Sequence, residues 1–428
     1  MYGLKEQRGF VLLTVVVLTW FLFALVGTYF ILINVERAAL FQSQNSLKAE
    51  AIAEAGIEEV AWEYNYDGSD FSGWSISGTT ATKTQTYADA SGTAIGSYTV
   101  TVENYPNLLV TPRPLVTVVA TYNAPGINVI ATVKAQFKPR PLFPYAMFAK
   151  DRIVFTGNAF TNSYDSALGS YNADLGGGNF NLFLNGDVRT NLKNTASAIN
   201  LSAANGNPVI GGDAIVGTGS TVSHPAKVSG SVSASPPKVI KDVSIPSDML
   251  LLISLGTLSS TLPGIPLPGG DYKFDEIDVG GANTVEIGLL AGDVVRIWTT
   301  GEVGIGGSGE IRVNPGVTLI IYTEGDVNIG GDGIANLSGT EFPQRLQIFA
   351  TPTCDDLNVT GGPDFIAVLK APQADIDLAG TPAIYGAYIG DRITATGGGG
   401  VHFDEQLLNP TSPTLMDGME IDWLRRLP

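Results

Sequence analysis

The sequence predicts a mainly β protein with a long N-terminal α-helix, followed by an antiparallel sheet and then a glycine-rich β-solenoid, β-helix-like domain. Three observations predict it. Residues 10–64 contain no proline and carry apolar residues at helical spacing, as in Ile57, Val60, Ala61 and Tyr64. The chain holds 51 glycines and 24 prolines with only 15% charged residues, the composition of many turns and short strands. A motif of glycine, an acid, a short apolar run and further glycines recurs between residues 186 and 400. With 428 residues and 44% hydrophobic content, the chain is long enough for two or three domains with their own cores.

The helix comes first. From Phe10 to Ile33 there is no charged residue, and at about 1.5 Å per residue such a run spans the roughly 30 Å hydrocarbon core of a membrane. No small-residue cleavage site follows it, so its length favours a span over a secretory signal. Lys5, Glu6 and Arg8 precede it and Glu36 and Arg37 follow, a slight bias toward a cytoplasmic N-terminus. Residues 36–64 are rich in Ala, Glu and Leu and continue the same helix, giving a rod of about 80 Å of which less than half needs lipid. Glu50, Glu54 and Glu58 recur at intervals of four, as do Glu59 and Glu63, and such like-charge pairs weaken a helix by a few tenths of a kcal/mol each. Two readings stay open: an acidic face tolerated because the helix packs on its own domain, or a surface that meets neighbouring helices in an assembly. Ala49, Ala53 and Gly56 permit close approach in either case.

Segments 97–103, 115–122 and 127–137 alternate or cluster β-branched residues, with the turn "NAPG" between the last two, and predict an antiparallel meander within 65–140. "KPRPLFP" at 138–144 is expected to end it, because proline removes ladder donors. Beyond lie "GDVRT" at 186, "GDAIVGTG" at 212, "GEVGIGGSG" at 301, "GDVNIGGDG" at 325 and "GDRITATGGGG" at 390. The steps from 186 to 212 and from 301 to 325 approximate one coil of a solenoid, in which each repeat buries its apolar face on the next. A jelly roll would also present short strands and glycine turns. The solenoid is expected over 145–410, with a Ser/Pro-rich excursion at 218–266 and a tail at 411–428.

A net charge of −17 repels nucleic acid and anionic lipid, and no nucleic-acid partner is expected. Cys354 is the single cysteine, which excludes an intrachain disulfide, and His224 and His402 lie far apart in sequence, leaving few zinc ligands. Polysaccharide-cleaving β-helices need carboxylate pairs or a metal on one face. The best same-face pair is Asp375 with Asp377; Asp355 with Asp356 alternate, and Asp404 with Glu405 end a strand, all expected to be solvated. "DGSD" at 67 and "GGDG" at 330 lack the full oxygen ladder of a calcium loop. No metal, cofactor or catalytic residue is expected, and the chain does not read as an enzyme.

Arg8-Gly9-Phe10, a short basic leader followed by the apolar helix, resembles the class III signal of type IV pilins and type II secretion pseudopilins. That resemblance implies a leader over 1–9, cleavage between Gly9 and Phe10 by a prepilin peptidase, and Phe10 as the methylated first residue. "RGFVLLTVVVL" with "KAEAIAEAGIEEV" is similar to the PilX N-terminal family of minor pilins and to the K pseudopilin. Major pilins carry a glutamate where this chain has Thr14; the K pseudopilin also lacks it, so the resemblance implies a minor, tip-proximal subunit. It implies a pilin-like helix plus antiparallel sheet, assembled with other pilins through a helix surface to which Thr14, Glu50, Glu54, Gly56 and Glu58 belong. The expected location is the inner membrane, single-pass, with the rest periplasmic or on a surface filament. Residues 146–407 further resemble a domain of unknown function that follows PilX-like helices, on the blocks 152–172, 268–281 and 367–407. The alternative is a membrane-anchored β-helix, either an adhesin for a surface glycan or host ligand or a polysaccharide-active enzyme.

Overall fold

The computed structural model describes residues 5–66, 71–105, 113–124, 126–261, 265–337, 341–361, 364–380, 383–410 and 412–427, with side chains from residue 12 onward. The "DGSD" stretch at 67–70 lies outside the described residues. The chain forms two units, one of residues 1–140 with 416–428 and one of residues 141–415.

In the first unit a single helix, α1 (Lys5–Tyr66), runs without interruption through the apolar segment and the Ala/Glu-rich segment. Its carboxyl-terminal half buries Ala49, Ile52, Ala53, Ile57, Val60 and Tyr64, a stripe at three- and four-residue spacing, in one apolar core with Val100, Val102, Val116, Val118 and Val133 of the sheet. Six described strands form that sheet. Ala94–Glu103, Leu115–Ala124 and Ile127–Pro141 are the predicted meander, and burial alternates along each with the period of two that a one-sided sheet requires. Ser75–Ser77 and Thr80–Ala88 precede them in antiparallel register and were not legible, because "TATKTQT" is polar apart from Ala81, its one fully buried residue.

Two expectations are corrected here. The strand does not stop before "KPRP" but extends to Pro141, although the boundary between the two units does fall within 138–144. Pairing with Leu115–Ala124 ends at Gln136, so Pro139 and Pro141 lie beyond the ladder in which their missing N–H groups would count. Nor is 411–428 a tail: Met416–Leu427 is a strand at the sheet edge, beside Ile127–Pro141. Met419 is buried, its backbone N–H donates to Asn65 Oδ1 at 3.0 Å, and Asn65 Nδ2 donates to Met419 O at 3.1 Å.

The second unit is a β-solenoid. Its long-range pairings are parallel, which excludes the jelly roll. One inward column shows how it is stacked: Leu258, Ile277, Val303, Val327, Leu357, Ile376, Ile393, Ile153 and Ile199 follow one another in register, each 5% exposed or less. The glycine-acid motif marks coil corners. A Cβ on Gly325 would lie 2.5 Å from Gly301 C, so the stacked backbones leave no room for one. The acid that follows caps the next coil: Asp187 Oδ1 accepts from Asp213 N at 2.7 Å, Asp213 Oδ1 from Ser231 N at 2.6 Å, and Asp326 Oδ1 from Asp355 N at 2.9 Å.

The column is not in chain order. Strand Ile153–Gly157, near the start of the unit, lies between Ile384–Gly397 and Ile199–Ala204. Winding therefore begins in mid-stack, proceeds outward to Val232–Ser235, restarts at the far end with Ser254 and the strand Thr257–Leu258, and returns to close on the first coil. Leu142 N consequently donates to Leu415 O at 2.9 Å, the two ends of the unit side by side.

This order corrects the excursion at 218–266. Val232–Ser235 still belongs to the stack, paired with Ala214–Gly217, and the stack resumes at Ser254, which bridges Lys273. The segment between crosses from one end to the other. Its backbone meets Arg189 at Pro236 and Asn191 at Lys238, then Asp242 meets Lys150 and Gln373, and Asp248 meets Arg296. Val243 and Met249 anchor it in the solenoid core.

Candidate functional site

The functional reading centres on α1, whose two halves have different surroundings. From Leu12 to Val35 every side chain but that of Ile33 is exposed, Trp20 at 74% and Phe23 at 71%. A helix apolar all round is suited to lipid or to other helices, not to water. Its hydroxyls are turned inward: Thr19 Oγ1 donates to Val15 O at 2.7 Å and Thr28 Oγ1 to Ala24 O at 2.8 Å. Thr14 lies in this stretch, and Gly9 and Phe10 lie in the helix backbone ahead of it, with side chains outside the description.

In the other half the acidic rows are resolved by cations from the unit's own sheet. Arg426, on the carboxyl-terminal strand, reaches Glu54 Oε1 at 2.5 Å and Glu50 Oε2 at 3.6 Å. Lys83 reaches Glu59 Oε1 at 2.8 Å and Glu63 Oε1 at 3.6 Å. Burial lowers the Lys83 pKa, but the hydrogen bonds and charges of Glu59 and Glu63 outweigh it, and the net direction is up. Glu63 is 3% exposed and accepts from Trp74 Nε1 at 2.8 Å. Gly56 lies against the sheet, where a Cβ would come within 2.7 Å of Val118 Cγ1 and 3.0 Å of Tyr98 Cδ2. Of the acids expected at an assembly surface, Glu58 is the exposed one. The open question about this half is thus answered for Ala49, Ala53 and Gly56: they approach the unit's own sheet. Arg426 and Lys83 were missed by sequence reading, although "RR" near the end of an acidic chain is a usable signal.

The second concentration of chemistry lies in the solenoid, where Phe160–Tyr164 pairs with Gly400–Asp404. Asn162 Oδ1 lies 2.5 Å from His402 Nδ1, and Asn162 Nδ2 donates to Tyr171 OH at 2.8 Å. The rings of Tyr171 and Tyr385 lie 3.9 and 4.9 Å from that of His402. Burial pushes the His402 pKa down to about 4, so the ring is neutral. The expectation that Asp404 is solvated is corrected: it is fully buried, and its carboxylate accepts from Ser166 N at 3.0 Å, Ser166 Oγ at 2.7 Å and Gln406 N at 3.1 Å. Burial nevertheless raises its pKa to about 6. Each of these groups is spent on a neighbour of its own fold.

Asp375 and Asp377 do project from one face of their strand, with Asp375 Oδ2 3.4 Å from Arg392 Nη1 and Asp356 its neighbour in register. Cys354 is buried, and desolvation pushes its thiol up to about 12, far from a reactive thiolate. Among the described residues no group of three or more His, Cys, Asp or Glu is arranged to hold a metal ion.

A family model described as "Domain of unknown function (DUF7305)" matches residues 257–410. The match covers the returning coils of the solenoid; the block 152–172 lies outside it. No curated protein matches. Among solved structures, the crystal structure of the competence-associated pilin ComZ from Thermus thermophilus is similar at 12% identity and a TM-score of 0.24, over 90% of this chain and 97% of that chain.

Proposed function

We propose that the protein is a pilin-like subunit, a minor pilin of a type IV pilus or type II secretion pseudopilus, carrying its solenoid as a displayed domain. One observation carries the reading: a single helix whose first half is apolar on every side and whose second half is packed on an antiparallel sheet. A plain anchor needs only the first half. A filament subunit needs both, the exposed half to enter lipid and later a bundle of like helices, and the packed half to couple that bundle to the domain. In this reading a prepilin peptidase cuts between Gly9 and Phe10, Thr14 marks a subunit without the major-pilin glutamate, and the remainder lies beyond the inner membrane. The solenoid is read as non-catalytic, since its buried His402 and Asp404 are engaged within the fold. Mass spectrometry of the protein from membranes tests this. A chain beginning at Phe10 is expected; a mature form retaining Met1 would leave only an anchor.

A further inference from the structure

The outward face of three successive solenoid strands, Val294–Thr299, Thr318–Thr323 and Leu346–Ala350, forms the floor of a groove of about 550 Å³. That size lies within the roughly 300–1,000 Å³ of small-ligand sites. Ile320 and Gln347, paired in register and both buried, lie beneath the centre of the floor. The short helices at Pro343–Arg345 and Pro413–Leu415 supply the two sides, with Gln406 and Ser412 reaching the rim. Gln347 ties the sides together, accepting from Thr414 Oγ1 at 2.6 Å and donating to Gln344 O at 2.8 Å, so the two sides are fixed relative to one another.

Among the described residues lining this groove, Arg345 is the sole charged group. Its Nη1 donates to Gly316 O at 3.2 Å and Thr318 Oγ1 at 3.0 Å, both neutral acceptors. In a chain of net charge −17, Arg296, Arg312 and Arg392 on the solenoid surface meet carboxylates; Arg345, like the buried Arg189, has neutral partners, and it is Arg345 that lines this groove.

We infer that this groove binds a carboxylate-bearing sugar residue, a uronic acid of an acidic glycan. Arg345 supplies the cation, and a guanidinium matches a carboxylate with two parallel N–H donors. Gln406, Ser412 and Thr318 supply the amide and hydroxyl groups that pair with sugar hydroxyls. The exposed Val294 and Pro413 supply an apolar surface for the C–H face of a pyranose. A peptide carboxyl terminus shares the anion but fits less well. Extended peptides bind by adding to a strand edge, and the floor here is the face of three strands already paired on both sides. The inference stands apart from the pilin reading, because nothing in it involves α1.

The test uses the full chain in detergent, titrated calorimetrically with methyl galacturonoside and with methyl galactoside as its neutral counterpart. The uronate is expected to bind at least about tenfold more tightly, as a charged hydrogen-bonded pair allows, and Arg345→Gln to abolish that preference. Val294→Trp, which fills the groove from an exposed position on its lining, should abolish binding of both sugars while the circular dichroism spectrum is unchanged, and it serves if Arg345→Gln unfolds. Equal affinity for the two sugars, no binding of either, or a preference that survives Arg345→Gln would overturn the inference. Tighter binding of a short peptide through its free carboxyl terminus would overturn the sugar assignment.

Discussion

The two β regions reach the same end, a buried apolar layer, by opposite routes. In the first unit consecutive strands pair across short turns, as where Asn123 faces Asn128, so most of the sheet closes locally. In the second unit the coil that begins the domain is completed by the coils that end it, with Ile153 paired to Ile393 and Thr156 Oγ1 3.0 Å from Thr396 Oγ1. Local closure is tolerant, because one hairpin can fray without the rest. Closure over more than two hundred residues makes the returning strand a keystone with a coil on either side, and such non-local pairings form late.

The largest expected effect therefore lies at that keystone. Gly386 has φ +128° and stacks so closely on Ala367 that a Cβ would overlap the Ala367 carbonyl oxygen. Gly386→Val combines backbone strain with overpacking and should cost the solenoid about 3 kcal/mol or more. Hydrogen exchange on the full chain should show loss of protection across residues 141–415 and retained protection in the Leu115–Ala124 strand. Equal loss in both units would break the contrast.

A smaller effect belongs to the helix–sheet contact. Gly56→Ala brings a methyl within 2.7 Å of Val118 Cγ1, a short, branched side chain with little freedom to retreat. The cost should be about 1–3 kcal/mol and confined to the first unit, read from the same exchange experiment. Were Gly56 instead an inter-subunit contact, the substitution would spare the isolated subunit and impair only assembly.

Much of this was legible in the sequence, and the boundary of legibility has a physical form. The helix was readable because periodicity is local, and the predicted strands because Val, Thr and Tyr alternate within them. The solenoid was readable because Gly186 and Gly212, or Gly301 and Gly325, occupy equivalent corners one coil apart. What could not be read was order in space. Nothing in "SPPKVIKDVSIPSDMLL" says that it crosses the stack, since its partners Arg189, Lys150 and Arg296 are distant in sequence. The burial of Asp404 was hidden for the same reason: its cap, Ser166, is 238 residues away. The groove around Arg345 assembles segments from residues 167 to 415 and left no local pattern.

The cluster around His402 and Asp404 sharpens the comparison through pH, because it joins the first coil to the last. His402 titrates near 4 in the folded chain against an ordinary 6.5, so its stabilising neutral form is fully present above pH 6.5 and is lost as pH falls toward 4. Asp404 titrates near 6 against an ordinary 3.8, so its contribution has the opposite sign: stability is lost as pH rises from about 4 through 6. In the wild-type protein the two trends oppose each other. His402→Gln should leave a stability that declines between pH 4 and 6, and Asp404→Asn one that declines as pH falls from 6.5 to 4, each on the order of 2 kcal/mol across the window. Urea unfolding followed by tryptophan fluorescence at stepped pH reads both slopes. Parallel profiles for the two variants would refute the assignment.

The smallest effect is expected where the first unit is most exposed. Arg426 bridges Glu50 and Glu54, and its side chain is 57% exposed while Glu54 is 38% exposed. Solvent screens such a pair, and exposed ion pairs contribute about 0.2–1 kcal/mol, less as salt rises and the Debye length falls below about 10 Å. Removing the arginine also restores the repulsion between glutamates four residues apart, a few tenths of a kcal/mol. Arg426→Ala should therefore destabilise the first unit only slightly at low salt, and the loss should shrink at 1 M salt. Adding Glu54→Gln should return part of it, because the change removes one member of the repelling pair. The comparison with Gly56→Ala is then direct: two substitutions on neighbouring turns of one helix, one acting through packing and indifferent to salt, the other acting through charge and erased by it. If Arg426→Ala costs as much as Gly56→Ala at 1 M salt, the carboxyl-terminal strand holds the helix by something other than this cation, and Trp423, whose Nε1 donates to Gln136 Oε1 at 2.8 Å, becomes the side chain to remove next.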